Sequence, residues 1–157
     1  MNNQPFVCVI DANVALKVVL DQPLSDRADI LFAYYESEPE AQFHVPEFFF
    51  AECVHILTKY VRLHHYPAED ANGNLQEIKD LSFQVASTTE LASDALNIAI
   101  NHRISGYDAC YVALAHQLKG PLITTDEKLV RADGKYTLRC SIISNILNST
   151  YRIISDL

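Results

Sequence analysis

Four acidic residues of this chain stand where solvation is a poor explanation for an acid. Asp11 ends the apolar run Phe6-Val7-Cys8-Val9-Ile10, and Asp126 follows Leu122-Ile123-Thr124-Thr125. Asp108 opens an Ala- and Leu-rich helical run, and Glu52 interrupts another that begins at Phe48. An ionised carboxylate beside core-type sequence is costly unless it is paired or bound to a metal. Drawn together without a cation, four carboxylates would repel one another, and at least one pKa would rise. Mg²⁺ and Mn²⁺ favour oxygen ligands of this kind. Two such ions about 3.5–4 Å apart can activate a water and stabilise the leaving oxygen in phosphodiester cleavage. The constellation therefore reads as a divalent-metal site of nuclease type.

Each acid has a plainer reading beside that one. Asp11, Asp108 and Asp126 could each N-cap the helix that follows, accepting backbone N–H bonds. Glu52 has no such excuse, because it lies within its helix, and it is the most discriminating of the four. Glu52 and His55 have the helical spacing of a di-iron ligand pair, but the second pair which that architecture needs is missing from the sequence. His64-His65, His102 and His116 lack zinc-ligand spacing. Lys17, Arg103 and Lys128 lie near the acids and are candidates for phosphate contacts, with surface solvation as the plainer account of each.

The elements that must position these groups follow from periodicity and punctuation. Residues 6–11 have the β-branched, continuous apolar character of a central parallel strand. A short helix is expected from Ala12 to Leu20, then a second over about 26–37, N-capped by Ser25, with Ala28, Ile30, Leu31 and Tyr34 as its apolar stripe. Gln42 to Val45 reads as a strand stopped by Pro46, which suits the first turn of a helix from Glu47 to about His65. Pro67 starts another helix reaching roughly Leu81, weakened in its first half by Asn72-Gly73-Asn74. Phe83 to Ala86 is a short strand, and Thr89 to His102 a helix with Leu91, Ala95, Ile98 and Ala99 on one face. Ser105-Gly106 breaks it, and Tyr107 to Leu118 is helical again until Gly120-Pro121. Leu122 to Thr125 is a strand, Glu127 to Ala132 a turn or two of helix, and Leu138 to Ile143 a last strand. Short apolar strands alternating with helices give an α/β fold with a mostly parallel sheet. Ligands of such sheets bind outside the carboxyl ends of the strands, at a topological switch point. If the strands before Asp11 and Asp126 are neighbours there, their carboxylates converge.

Four segments in this order resemble the motifs of PIN-domain ribonucleases. Val9-Ile10-Asp11-Ala12-Asn13-Val14 is similar to the opening motif, and Val45-Pro46 followed by Glu52 to the second. Ser105-Gly106-Tyr107-Asp108-Ala109-Cys110-Tyr111-Val112-Ala113-Leu114-Ala115 resembles the third and is the most specific match. Thr124-Thr125-Asp126-Glu127-Lys128-Leu129 resembles the fourth. The resemblance covers about residues 5–147 and implies a three-layer α/β/α sandwich in a single nuclease domain over 1–147. It leaves 148–157 as an unassigned C-terminal tail. It further implies Mg²⁺- or Mn²⁺-dependent cleavage of single-stranded or structured RNA, with Asp11, Glu52, Asp108 and Asp126 as both metal ligands and catalytic acids. Asn13 and Thr125 match positions that hydrogen-bond this quartet or its waters. By length the nearest branch is the VapC-like toxins, endoribonucleases held inactive by a cognate antitoxin.

Composition bounds these readings. At 157 residues the chain is the size of one domain, and 49% of it is apolar. Its apolar runs are too short for a membrane span or a signal peptide, and the N-terminus has no basic region, so cytoplasm is the expected location. Cys8, Cys53, Cys110 and Cys140 form no paired motif and are expected as buried free thiols. The net charge of −8 counts against avid, indiscriminate binding of nucleic acid. Four carboxylates account for half of it, and two bound divalent cations would offset them. Phe48-Phe49-Phe50 and Tyr34-Tyr35 are expected to serve the core plus a homodimer or antitoxin contact rather than base stacking. A non-catalytic scaffold that binds RNA or protein is the alternative, and the intact quartet argues against it. An aspartyl phosphatase would show Asp-x-Asp where Asn13 stands, and a phospho-receiver would need adjacent acids before Asp11.

Overall fold

The computed structural model describes residues 5–132 and 137–139. The element order is β1 (Val7–Ile10), α1 (Ala12–Ala15), a 3₁₀ turn (Leu16–Val18), α2 (Ser25–Ser37), β2 (Gln42–Pro46), α3 (Phe49–His64) and α4 (Ala68–Asp80). Then come β3 (Gln84–Ala86), α5 (Thr88–His102), α6 (Gly106–Leu118), β4 (Leu122–Thr124), α7 (Glu127–Ala132) and β5 (Thr137–Arg139). The strands form one sheet in the order β3-β2-β1-β4-β5, with every pairing parallel. Right-handed crossovers along that order place α1 to α4 on one face and α5 to α7 on the other. Within these layers α3 packs on α4 and α1, while α6 packs on α5 and against β1, β2 and β4. This is the three-layer α/β/α sandwich expected from the sequence.

β1 is central because its side chains suit two apolar faces at once. Cys8, Val9 and Ile10 are wholly buried, as are Phe43 and Val45 of β2 and Leu122 and Ile123 of β4. The chain moves from β1 to β2 and β3 on one side, then returns across the sheet to β4 on the other. The β1–β4 boundary is therefore the switch point, with Ile10 level with Ile123 and the Asp11 N–H bonded to the Ile123 carbonyl. Helix α6 runs antiparallel to β1. Its last turn closes on Lys119 in the left-handed conformation (φ 53°), with Gly120 N–H bonded back to Ala115. A Cβ on Gly120 would lie 2.6 Å from the Val7 carbonyl oxygen, so only glycine lets the helix end approach the start of β1.

Local departures from the sequence reading have identifiable causes. The first helix stops at Ala15 and tightens to a 3₁₀ turn rather than continuing to Leu20. Ser25 is the first residue of α2 and not its cap: its hydroxyl accepts from Gln22 N–H and donates to the Leu20 carbonyl, binding the preceding loop. Ile30 points outward at 42% exposure, and Phe32 takes its place in the buried stripe. Pro46 ends β2 instead of entering α3. The Asn-Gly-Asn stretch stays inside α4, where the Asn74 side-chain amide donates to the Val19 carbonyl and the Tyr66 hydroxyl. Tertiary hydrogen bonds there outweigh weak helix propensity. Cys8, Cys53 and Cys110 are buried free thiols, and Cys140 lies outside the described residues, as do the last residues of the expected final strand and the whole 148–157 tail.

Candidate active site

Asp11 leaves the carboxyl end of β1 with only 6% of its surface exposed. Both its oxygens are held. One accepts from the Asn13 backbone N–H at 3.1 Å, with the Asn13 amide nitrogen farther off at 3.5 Å. The other accepts from the Thr124 hydroxyl at 2.5 Å. That hydroxyl also accepts from the Asp126 N–H at 3.0 Å, so a single side chain ties the first strand end to the fourth. Burial pushes the Asp11 pKa up, the Thr124 and Asn13 bonds pull it down, and the charges of Asp108 and Asp126 push it up again. Asp126 additionally accepts from Lys128 N–H at 2.7 Å. Capping and clustering thus coexist in Asp11 and Asp126.

Asp108 has no capping duty. Ser105 N-caps α6, accepting from the Asp108 N–H at 3.0 Å and leaving the carboxylate free of backbone bonds among the described residues. Glu52 lies in the first turn of α3, half-buried, and accepts a short hydrogen bond from the Tyr111 hydroxyl. Burial raises its pKa from 4.5 to about 6, against the opposing pull of Tyr111, and the negative charges of Asp11 and Asp108 add to the rise. Cys53, beside Glu52, is pushed to about 12 by burial and by the charges of Glu52 and Asp11, which makes it an inert thiol.

All four acids therefore share one electrostatic neighbourhood at the switch point. Among the described residues, however, no three His, Cys, Asp or Glu side chains draw close enough to hold an ion as they stand. The donor set still suits a hard cation. It is all oxygen, and the raised values at Asp11 and Glu52 are a repulsion and desolvation cost that positive charge would relieve.

Two supporting residues escaped the sequence reading. Thr124, wholly buried, makes the bond to Asp11 that was expected of Thr125. Thr124 belongs to β4, whose last side chain faces β1, whereas Thr125 lies past the strand. Tyr111 sits three residues after Asp108, a spacing that puts both on one face of α6. Of the expected phosphate contacts, Lys17 is corrected outright. It is buried, 8% exposed, and its ammonium donates to Gln22 Oε1 at 3.1 Å, while Gln22 donates to the Tyr60 hydroxyl. Arg103 and Lys128 are exposed, Arg103 in the left-handed turn between α5 and α6.

The PIN domain family model matches residues 8–135. Ribonuclease VapC3 of Pyrobaculum aerophilum is 27% identical over 123 residues, which span 77% of this chain and 90% of that protein. Among solved structures, PAE2754 from Pyrobaculum aerophilum superposes with a TM-score of 0.66 at 17% identity, covering 94% of both chains. A toxin–antitoxin complex from Klebsiella pneumoniae gives 0.60 at 14% identity, covering 85% of this chain and 97% of that one. The matched span runs from β1 past all four acids, and the chain belongs to the PIN domain family.

Proposed function

We propose that this protein is a Mg²⁺- or Mn²⁺-dependent endoribonuclease and the toxin of a toxin–antitoxin pair. The observation that carries the reading is the partly buried acidic group at the switch point, where burial and neighbouring acids keep Asp11 and Glu52 at raised pKa and no cationic side chain among the described residues offsets them. A fold that needed these acids only for stability would gain by losing them. The likeness to Ribonuclease VapC3 supports RNA as substrate, and the Klebsiella pneumoniae complex supports an antitoxin partner.

Asp11, Glu52, Asp108 and Asp126 would hold the cation, which when bound supplies an activated water and stabilises developing charge on phosphate. The chain's own work is orientation. Thr124 and the Asn13 N–H fix the Asp11 carboxylate, and Tyr111 fixes one oxygen of Glu52 and leaves the other for a ligand. A non-catalytic scaffold would have no use for this second set of hydrogen bonds.

Asp108→Asn is the cleanest test, because Asp108 caps nothing. It should reduce RNA cleavage by several orders of magnitude while the melting temperature holds or rises. Asp11→Asn should lose cleavage too, and in addition up to about 2 kcal/mol of cap stability. Millimolar Mn²⁺ should raise the melting temperature of the wild type more than that of Asp108→Asn. An unchanged wild-type melting temperature in both Mn²⁺ and Mg²⁺ refutes the metal site, and full cleavage by Asp108→Asn refutes the catalytic assignment.

A further inference from the structure

An acidic site on an acidic protein must hold a polyanion, and the sequence offers little basic surface to do it. With Lys17 turned inward, the expected phosphate contacts that stay exposed among the described residues are Arg103 and Lys128. Attraction that does not depend on charge is therefore needed. Stacking of a base on an aromatic ring is such a force, and it tolerates any base because every base has a π-face.

Tyr107 is placed for it. It is 64% exposed and directly precedes Asp108 in the first turn of α6. It lies between Ser105 and Asp108, which the Ser105 hydroxyl joins by accepting from the Asp108 N–H, and its ring is met edge-on by Phe48, with centroids 5.2 Å apart and planes at 79°. Phe48 also meets Tyr111 edge-on, at 5.7 Å and 86°. Tyr111 lies one helical turn further along and donates to Glu52. The three rings form one continuous structure from the Glu52 carboxylate out to the solvent at Tyr107. An edge-on contact orients the exposed ring without covering both of its faces.

Resting on the ribonuclease reading, we propose that Tyr107, propped by Phe48, is a stacking platform for an unpaired base of the RNA strand beside the scissile phosphate. The substrate class is then single-stranded RNA or a loop, since bases inside a helix are already stacked and cannot be splayed onto a side chain.

The chain contains no tryptophan, so Tyr107→Trp introduces a single tryptophan at the platform, excited at wavelengths that the tyrosines do not absorb. In an Asp126→Asn background, made so that strands are bound without being cut, mixed-sequence single-stranded RNA of about ten nucleotides should quench its emission. A duplex of equal length should not. In otherwise wild-type protein, Tyr107→Ala should raise KM for cleavage roughly 5- to 150-fold, the value of one stacked base. Its kcat and melting temperature should change little, and Tyr107→Phe should restore KM. Unquenched emission with a normal KM in Tyr107→Ala overturns the platform while wild-type cleavage keeps the ribonuclease reading. Emission that responds to protein concentration and not to RNA overturns it in favour of a contact with a second copy. If the wild type cuts no RNA, the ribonuclease reading falls and quenching alone decides the platform: its presence upholds the stacking, its absence ends it.

Discussion

Glu52 carries the plainest pH signature in the molecule. Its pKa in the folded protein, about 6, lies above the ordinary 4.5, so the folded state binds its proton more tightly than the unfolded state does. Its contribution to stability is therefore complete below 4.5 and is lost as pH rises through about 6. Metal-free wild type should lose stability over that window relative to Glu52→Gln, by well under about 2 kcal/mol because the group is only partly buried and solvent screens it. His44 works in the opposite sense, its pKa lowered by burial, but it is common to both proteins and cancels in the difference. Parallel melting curves of the two proteins from acid to neutral pH check this, and identical pH profiles refute it. All four acids were legible at this scale because a carboxylate next to apolar sequence is a visible anomaly. Thr124 and Tyr111 were not. A hydroxyl beside β-branched residues and a tyrosine in an apolar helix both look like ordinary packing until a distant carboxylate is placed against them.

At the scale of elements, two glycines make a matched test of backbone reasoning. Gly73 sits in the middle of α4 with nothing within 4 Å of where its Cβ would be, so Gly73→Ala should stabilise by about 0.5–1 kcal/mol. Gly120→Ala should instead destabilise by about 1–3 kcal/mol, because the added carbon meets the β1 backbone and no flexible side chain can yield. Denaturant midpoints of the two variants decide both, and a shift of the same sign in each would refute the packing argument. Strand and helix order could be read from the sequence because each strand is a short apolar run bounded by punctuation. Loop chemistry could not. The Ser25 hydroxyl has two local uses, cap or loop tie, and only the left-handed turn at Leu24 (φ 71°) selects the second. The outward turn of Ile30 has the same origin, because periodicity gives the width of an apolar stripe but not where its edge meets the sheet.

For the whole molecule, some of the aromatics expected at a dimer contact are taken up within the chain. Phe49 is wholly buried, and Tyr35 stacks on Phe43 and donates to the Ser82 carbonyl. The large apolar side chains left in solvent include Leu96 (62% exposed) and Ile100 (65%), one turn apart on α5. A homodimer remains the expectation, now with that face of α5 inside it. Light scattering over a concentration series should give twice the chain mass, and Ile100→Glu should return it to a monomer with its melting temperature kept. A wild type that stays monomeric at high micromolar concentration ends that expectation. The strand order also sets a timetable for the chain as it is synthesised. β1 emerges first, yet its β4 side stays bare through the making of β2, β3 and the six helices α1 to α6, and Asp11 waits as long for the Thr124 hydroxyl. The acidic group cannot assemble on a nascent chain until Asp126 has left the ribosome. On the ribonuclease reading, a chain built in this order stays harmless to the machine that is making it until its fourth strand and Asp126 have been made.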